Sequence, residues 1–509
     1  MLCLDITGAF DHVSHPWLLH ILQQYGVPTW IVNWVESFLQ DRQSTIQIIF
    51  EESNLCPVQS GIPQGSPISP ILYLFFNEEL VRICNGLGLR SSALGFVDDI
   101  NILAWSNSTE HNCIALARIH SQCCEWARRH GATFSPTKYE LIHLTRHPKR
   151  FNLGATISLE ATEVSPKAHV RVLGVEIDTK LKWGPHVQKI QSKMEHQTNA
   201  LTRIATSTWG AMFRKSRLVY TAVVRPALAY GTPIWFSPEG KEATKPSLIR
   251  PLEVIQNRCL RTIAGAYKAT PIPLLESETG ILPVQDHFSK LQAQYQLRKQ
   301  NSPVVGLITS ACERIQRQLQ GSRGRTRRHP TTPGVQKLAW YQKLLRTNPQ
   351  SQTTTPQSQI NKATHNQWAS SWVRQRNKVP PDKRVAAHIR DTTLDDPHLH
   401  DNLHKAESSL ATQLRTEKIG FNAFLARQRV PNVTPNCTCG HPDQTVRHIM
   451  LFCSDIDRSN ENIGPSSDLY SILTNAASLR KAVWWLMGLN ILPQFYLARE
   501  LLWDNTGSL

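Results

Sequence analysis

Apolar positions change their period along the chain, and the changes mark its elements. Residues 2–6 alternate as a short buried strand ending near Asp5. Helical spacing follows from Ser14 and Pro16, both helix-start signals, to Gln24. It returns from about Thr29 to Leu39, with Trp30, Ile31, Trp34, Val35, Phe38 and Leu39 on one apolar side. Residues 44–50 alternate as a strand. Residues 59–67 are too rich in Gly and Pro for either element and predict a shaped loop, which feeds a helix over about 68–84. Two β-prone apolar runs then flank Asp98 and Asp99, the pattern of a tight hairpin with charge at its turn. Ser108 or Thr109 caps a long helix that ends at Gly131, with Ile114, Ala117, Cys124 and Ala127 facing inward. Residues 139–144 and 170–177 read as strands, and 185–205 and 214–229 as helices. The first 180 or so residues therefore follow an α+β order, and a helical segment continues to about Gln300.

Beyond residue 300 the periodicity fades. Residues 301–400 are dominated by Gln, Ser, Thr, Pro and basic side chains and predict a basic linker of low order. Sixteen Lys and Arg in 301–390 face only Glu313 and Asp382, so this stretch holds fourteen of the seventeen net positive charges. Such a concentration points to a polyanionic partner. A helix resumes over about 402–415, followed by a cysteine cluster. At 509 residues the chain predicts two to four domains, and an apolar content of 40% supplies a real core. The 11 cysteines are mostly isolated, as in a reducing compartment. No run is long and apolar enough to span a membrane, and the first residues lack the pattern of a signal peptide.

Two constellations carry chemistry. Adjacent aspartates repel and are costly to half-bury unless a cation neutralises them. Nucleotidyl transfer uses two divalent cations about 4 Å apart, and Mg²⁺ favours carboxylate oxygens. Asp5 at a strand end, with Asp98 and Asp99 on a hairpin turn, fit that need. The intervening loop adds close backbone approach and the Gln64 amide, and leads into a helix. The second constellation is Cys437-x-Cys439-x8-His448-x4-Cys453, whose three thiolates and one imidazole suit tetrahedral Zn²⁺. His441 competes with His448 as the fourth ligand.

On these motifs the chain resembles the reverse transcriptases of non-LTR (LINE-type) retrotransposons. The matching stretches are Leu4-Asp5-Ile6-Thr7-Gly8-Ala9-Phe10-Asp11, Ser60-Gly61-Ile62-Pro63-Gln64-Gly65-Ser66-Pro67 and Gly95-Phe96-Val97-Asp98-Asp99. Further similarity runs through Gly131 to Glu140, Val172 to Asp178, Arg225 to Gly231 and Ile263 to Lys268, and returns near 410–455. The resemblance implies that Asp5, Asp98 and Asp99 hold two Mg²⁺ ions and that Lys138 is a general acid toward the leaving pyrophosphate. Ile6, Phe10, Gln64 and Gly65 would line the nucleotide site, Phe10 as the steric gate against a ribose 2′-hydroxyl. One Zn²⁺ would fold a knuckle that binds RNA.

The expected architecture is α+β. A right-hand polymerase palm, an antiparallel sheet with packed helices, occupies 1–180, and a helical thumb or connection 181–300. The basic linker follows at 301–400, a helix with the Cys-Cys-His-Cys zinc knuckle at 401–460 and a helical tail at 461–509. The family's fingers precede the first motif, and Met1 stands four residues ahead of Asp5, so the reading is of a chain truncated at its N-terminus. The carboxylates within 301–400 do not have the setting of the ribonuclease H domain that some relatives carry. The implied function is RNA-directed DNA polymerase, with an RNA template, a DNA primer and dNTPs as partners and a nuclear or cytoplasmic ribonucleoprotein location. A non-catalytic RNA-binding remnant of a retroelement is the alternative.

Overall fold

Period-two alternation makes Leu2–Thr7 a strand, β1, with Leu2, Leu4 and Ile6 buried on one side and Asp5 on the other. The structure is a computed structural model. It describes residues 1–49, 51–86, 90–145, 147–160, 162–240, 243–303, 306–307, 310, 333–347, 355–388, 398–458 and 467–504. Two units divide the chain, Met1–His186 and Val187–Leu509.

In the first unit β1 is central to an antiparallel sheet. Strand β2 (Ser91–Phe96) pairs with β3 (Asp99–Ala104), and β3 pairs with β1. On the other side of β1 lie β4 (Thr133–Phe134) and β5 (Glu140–Leu141). Helices α1 (His15–Gln24), α2 (Thr29–Leu39), α3 (Ser69–Gly86) and α4 (Thr109–His130) bury their apolar stripes in the core that backs this sheet. Ser108 accepts the His111 amide as N-cap of α4, and Gly131 ends that helix in the left-handed region.

Helix faces differ from expectation in two places. Trp30 and Trp34 of α2 are exposed, Val35 and Leu39 are buried as expected, and Val32 is buried with them. Apolar residues surround nearly the whole circumference of this helix, so composition does not select its inner face. Ile114 of α4 is 67% exposed, and Cys113, Leu116, Ile119, Cys123 and Trp126 point inward with Ala127. The expected strand 44–50 is instead two short exposed ladders, Gln43–Ser44 with Cys56–Pro57 and Gln47–Ile48 with Glu51–Glu52. The expected strand 170–177 folds back on itself: Leu173 and Gly174 take positive φ, so His169–Val172 pairs antiparallel with Val175–Asp178.

The second unit is helical. Helix α5 (Gly184–Ile204) enters it from the first unit, and a helical run covers Phe213–Val219, Tyr220–Val224 and Arg225–Leu228. Then come α6 (Pro246–Ala264), α7 (Ile272–Thr279) and α8 (Val284–Lys299). Within the stretch expected to be a linker, α9 (Pro333–Thr347) and α10 (Pro356–Asn377) are helices with buried anchors. Trp340, Tyr341 and Ile360 pack with Ala293 of α8, and Trp368 and Trp372 pack with Leu274, Leu282 and Ala387. Polar composition hides these few aromatics, which supply the apolar area that fixes both helices. The Arg323–Arg328 cluster lies outside the described residues.

Helix α11 (Lys405–Thr416) is buried along its whole length. Its polar residues are satisfied by neighbouring elements. Lys405 Nζ donates to the Thr262 and Ile263 carbonyls at 2.8 Å each, and Gln413 Nε2 donates to the Gly265 carbonyl at 2.9 Å. These donors take up carbonyls that the C-terminus of α6 leaves open. Gly265 has φ +61°, and a Cβ there would collide with Ser409. Arg415, fully buried, grips Glu278 with Nε at 3.0 Å and Nη2 at 2.8 Å, and its Nη1 donates to the Leu473 carbonyl. Helix α12 (Asn422–Arg427) buries Ala423 and Phe424, and α13 (Leu469–Thr474) and α14 (Ala476–Gly488) share one apolar core with α11. No described helix is long and apolar enough to cross a membrane.

Candidate active site and metal centre

Asp5 and Asp99 are direct cross-strand partners in the β1–β3 ladder, so two carboxylates stand side by side at the ends of adjacent strands. Phe96 pairs with Asp99, leaving Val97 and Asp98 as a two-residue turn, with Val97 at φ +56°. The Ile6 amide donates to the Asp98 carbonyl at 3.0 Å and ties the turn to β1. Asp98 is exposed, Asp5 and Asp99 half-buried. Burial raises the Asp99 carboxyl above its usual range, and the charges of Asp98 and Asp5 push it further the same way. Lys138, at the end of a single turn of helix after β4, donates Nζ to Asp5 Oδ2 at 2.8 Å. That ion pair holds the lysine above its usual pKa.

The glycine-rich loop closes over the turn that follows the C-terminal end of β1, the end that carries Asp5. Ile62 N–H donates to the Phe10 carbonyl and Gly61 N–H to the Val13 carbonyl, each at 2.8 Å. Gly61 has φ +80°, and a Cβ there would come within 2.7 Å of the Asp11 carbonyl and 2.9 Å of the Phe10 carbonyl. The His15 ring and the Arg42 guanidinium both reach the Gly61 carbonyl, at 2.7 and 2.6 Å. Gln64 and Gly65 are exposed beyond this clasp, and Gln64 Nε2 donates to both Asp11 carboxylate oxygens at 3.1 and 3.3 Å. Phe10 is half-buried and meets Tyr73 edge-on, centroids 5.5 Å apart. Ile6 departs from expectation. Its side chain is buried in the core, so it faces away from any bound nucleotide and its amide braces the acidic turn.

Three residues at this site were not singled out from sequence. Asp11 receives the Gln64 amide. Asn77 donates Nδ2 to the Val97 carbonyl at 3.3 Å, under the acidic turn. Tyr73 is buried and its hydroxyl has no hydrogen-bond partner among the described residues, and burial followed by the nearby Asp98 charge raises its pKa. Tyr73 and Asn77 lie one turn apart on the buried face of α3, the spacing that could have flagged them.

In the second unit the sulfur and nitrogen ligand atoms of Cys437, Cys439, His448 and Cys453 all lie within 4.8 Å of one another. Cys439 Sγ is 3.2 Å from His448 Nε2, and Cys437 Sγ is 3.7 Å from Cys453 Sγ. The His441 amide lies against Cys439 and lowers its thiol pKa. His441 itself is exposed, its Nδ1 is occupied by the Asp443 backbone, and its ring stacks on His448 with centroids 4.1 Å apart. The clustered donors include His448, whereas His441 is held by the turn at Asp443. Three thiols and an imidazole this close, without disulfides, are a donor set that fits a soft tetrahedral cation.

Paired carboxylates from adjacent antiparallel strands, beside a glycine-shaped loop, fit an α+β polymerase domain. Residues 1–177 match the family described as reverse transcriptase (RNA-dependent DNA polymerase). Over 310 residues the chain is 26% identical to the probable RNA-directed DNA polymerase from transposon BS of Drosophila melanogaster, covering 59% of this chain and 33% of that protein. It is 23% identical over 340 residues to the RNA-directed DNA polymerase from mobile element jockey of the same fly, covering 64% and 35%. It is 29% identical over 143 residues to the Pol polyprotein from the type-1 retrotransposable element R2 of Popillia japonica, covering 26% and 23%. The chain spans about a third of the length of the first two relatives. Residues 1–177 therefore carry a domain similar to the reverse transcriptases, and the similar proteins named here come from transposons and retrotransposable elements.

Proposed function

We propose that the chain is an RNA-directed DNA polymerase, its first unit the palm and the following helices the thumb, adding dNTPs to a DNA primer on an RNA template. The observation that carries this reading is the pairing of Asp5 with Asp99 beside the Asp98 turn. Asp5, Asp98 and Asp99 would hold Mg²⁺, which when bound activates the primer 3′-oxygen and steadies the triphosphate. Lys138 now supplies the neutralising charge on Asp5. In the reaction its Nζ would give a proton to the departing pyrophosphate. Phe10, propped by Tyr73, would leave no room for a ribose 2′-hydroxyl. Gln64 and Gly65 sit on the same exposed lip, where the nascent base pair would pack. Zn²⁺ at Cys437, Cys439, His448 and Cys453 would hold the C-terminal loops in place to meet RNA.

Primer extension on a primed RNA template tests the proposal. We expect incorporation by the native chain and a fall of more than about a hundredfold for Asp98→Asn, with RNA affinity unchanged. If neither protein extends while both bind RNA, the chain is a binding remnant and the polymerase reading is lost.

A further inference from the structure

A cleft of about 270 Å³ opens in the second unit between α7, α10 and the segment that follows α11. Its floor is apolar, made by Pro271, Pro273, Leu274, Trp372 and Val385. Its rim carries Arg376, Lys383, His388 and Lys418, and among the described residues no carboxylate lines it. We propose that this cleft binds one nucleotide of a single-stranded RNA, with the phosphate on the basic rim and the base or ribose against the proline and tryptophan floor. The inference rests on the reading that the chain works on RNA and names where a single strand is held away from the acidic hairpin.

Hydrogen-bonding capacity carries the argument. Among the described residues, Arg376 Nε and Trp372 Nε1 are buried donors with no partner, and both belong to residues lining the cleft. Buried donors are rarely left unmet, and two beside one cavity call for an acceptor. His388 adds a donor of its own. Its Nδ1 accepts the Val385 amide at 3.0 Å, so the neutral ring carries its proton on Nε2. Arg384, outside the lining, turns its Nε to the Val379 carbonyl at 3.2 Å. Among the described residues the lining therefore offers donors and positive charge without a competing acid, which is the complement of a phosphodiester oxygen. Proline and aromatic surfaces beside cationic donors are what an unstacked nucleotide needs, and a duplex keeps its bases inside. The volume admits one such unit.

Fluorescence anisotropy with a labelled twelve-nucleotide oligouridylate, against a matched RNA duplex, tests the cleft in the full chain. Arg376→Gln/Lys418→Gln should weaken single-strand binding about tenfold and reduce the salt slope by about 1 to 2, leaving duplex binding unchanged. Lys418→Gln alone, a milder surface change, should show a smaller loss in the same direction, and Lys343→Gln should show none. Uridine monophosphate should displace the strand more effectively than inorganic phosphate. Unchanged single-strand affinity in the folded variants overturns the proposal, as does an equal loss on duplex. Displacement by a polyglutamate peptide but not by the nucleotide overturns it in favour of an acidic protein segment. Repeating the titrations in an Asp98→Asn background should give the same losses, so failure of the cleft and failure of the polymerase reading are told apart.

Discussion

Gly61 shows how far one backbone position can constrain the site. Its left-handed φ and the backbone oxygens of Phe10 and Asp11 pressed against it leave no space for a Cβ. Gly61→Ala should cost about 2 kcal/mol or more in chemical denaturation and should disable incorporation, because the clasp that aligns Phe10 moves with it. Asp5, Asp98, Asp99 and the loop were legible in sequence because each sits in a contiguous stretch whose chemistry is spelled out locally. Tyr73 and Asn77 were not, since their contribution depends on which face of α3 is buried. His441 and His448 are indistinguishable by spacing alone. Only the turn that commits His441 Nδ1 to the Asp443 backbone separates them.

Helix positions were readable where caps or turn residues punctuate the chain, as at Ser108 and Gly131, and the inner faces of α2 and α4 were not. Helices α9 and α10 escaped notice because their anchors are sparse among Gln, Ser, Thr and basic residues. The helices of the second unit are joined by a fully buried ion pair, which burial alone would weaken by favouring a neutral Glu278. Arg415 and then His400 outweigh that and hold the carboxyl far below its usual range. Glu278→Gln should therefore lose about 3–5 kcal/mol in urea unfolding, since Arg415 keeps its charge without a counterion. The double variant Glu278→Leu/Arg415→Met should recover most of that loss, because burying two charges costs nearly as much as their attraction returns.

The two units answer differently to solution conditions. Cys437 and Cys453 belong to the same core as α11 and α14. Adding a strong zinc chelator should lower the unfolding temperature of the second unit and leave the first unit's transition in place, and Cys439→Ser should mimic the chelator. Metal analysis should find about one zinc per native chain, lost in that variant. The pH response of the second unit has its own source. Burial, with Asp286 and Glu253 nearby, raises Glu276 to about 8, and burial raises Asp286 to about 6. The folded state thus keeps protons that the unfolded chain releases above about pH 4.5, so this stability is complete below that pH and is lost as pH climbs through about 8. Lys405, lowered to about 7 by burial, acts in the opposite direction above neutrality, so the comparison needed is with Glu276→Gln. Melting curves should show the native chain losing more stability than that variant between about pH 5 and about pH 8.5. The Glu278–Arg415 pair also sets a clock. The partners are 137 residues apart in the chain. At ribosomal rates of about 5–20 residues per second, Glu278 emerges roughly 7–27 s before its guanidinium does. Throughout that interval the nascent carboxylate must stay hydrated, so α7 waits undocked while the first unit already has its entire sequence in hand.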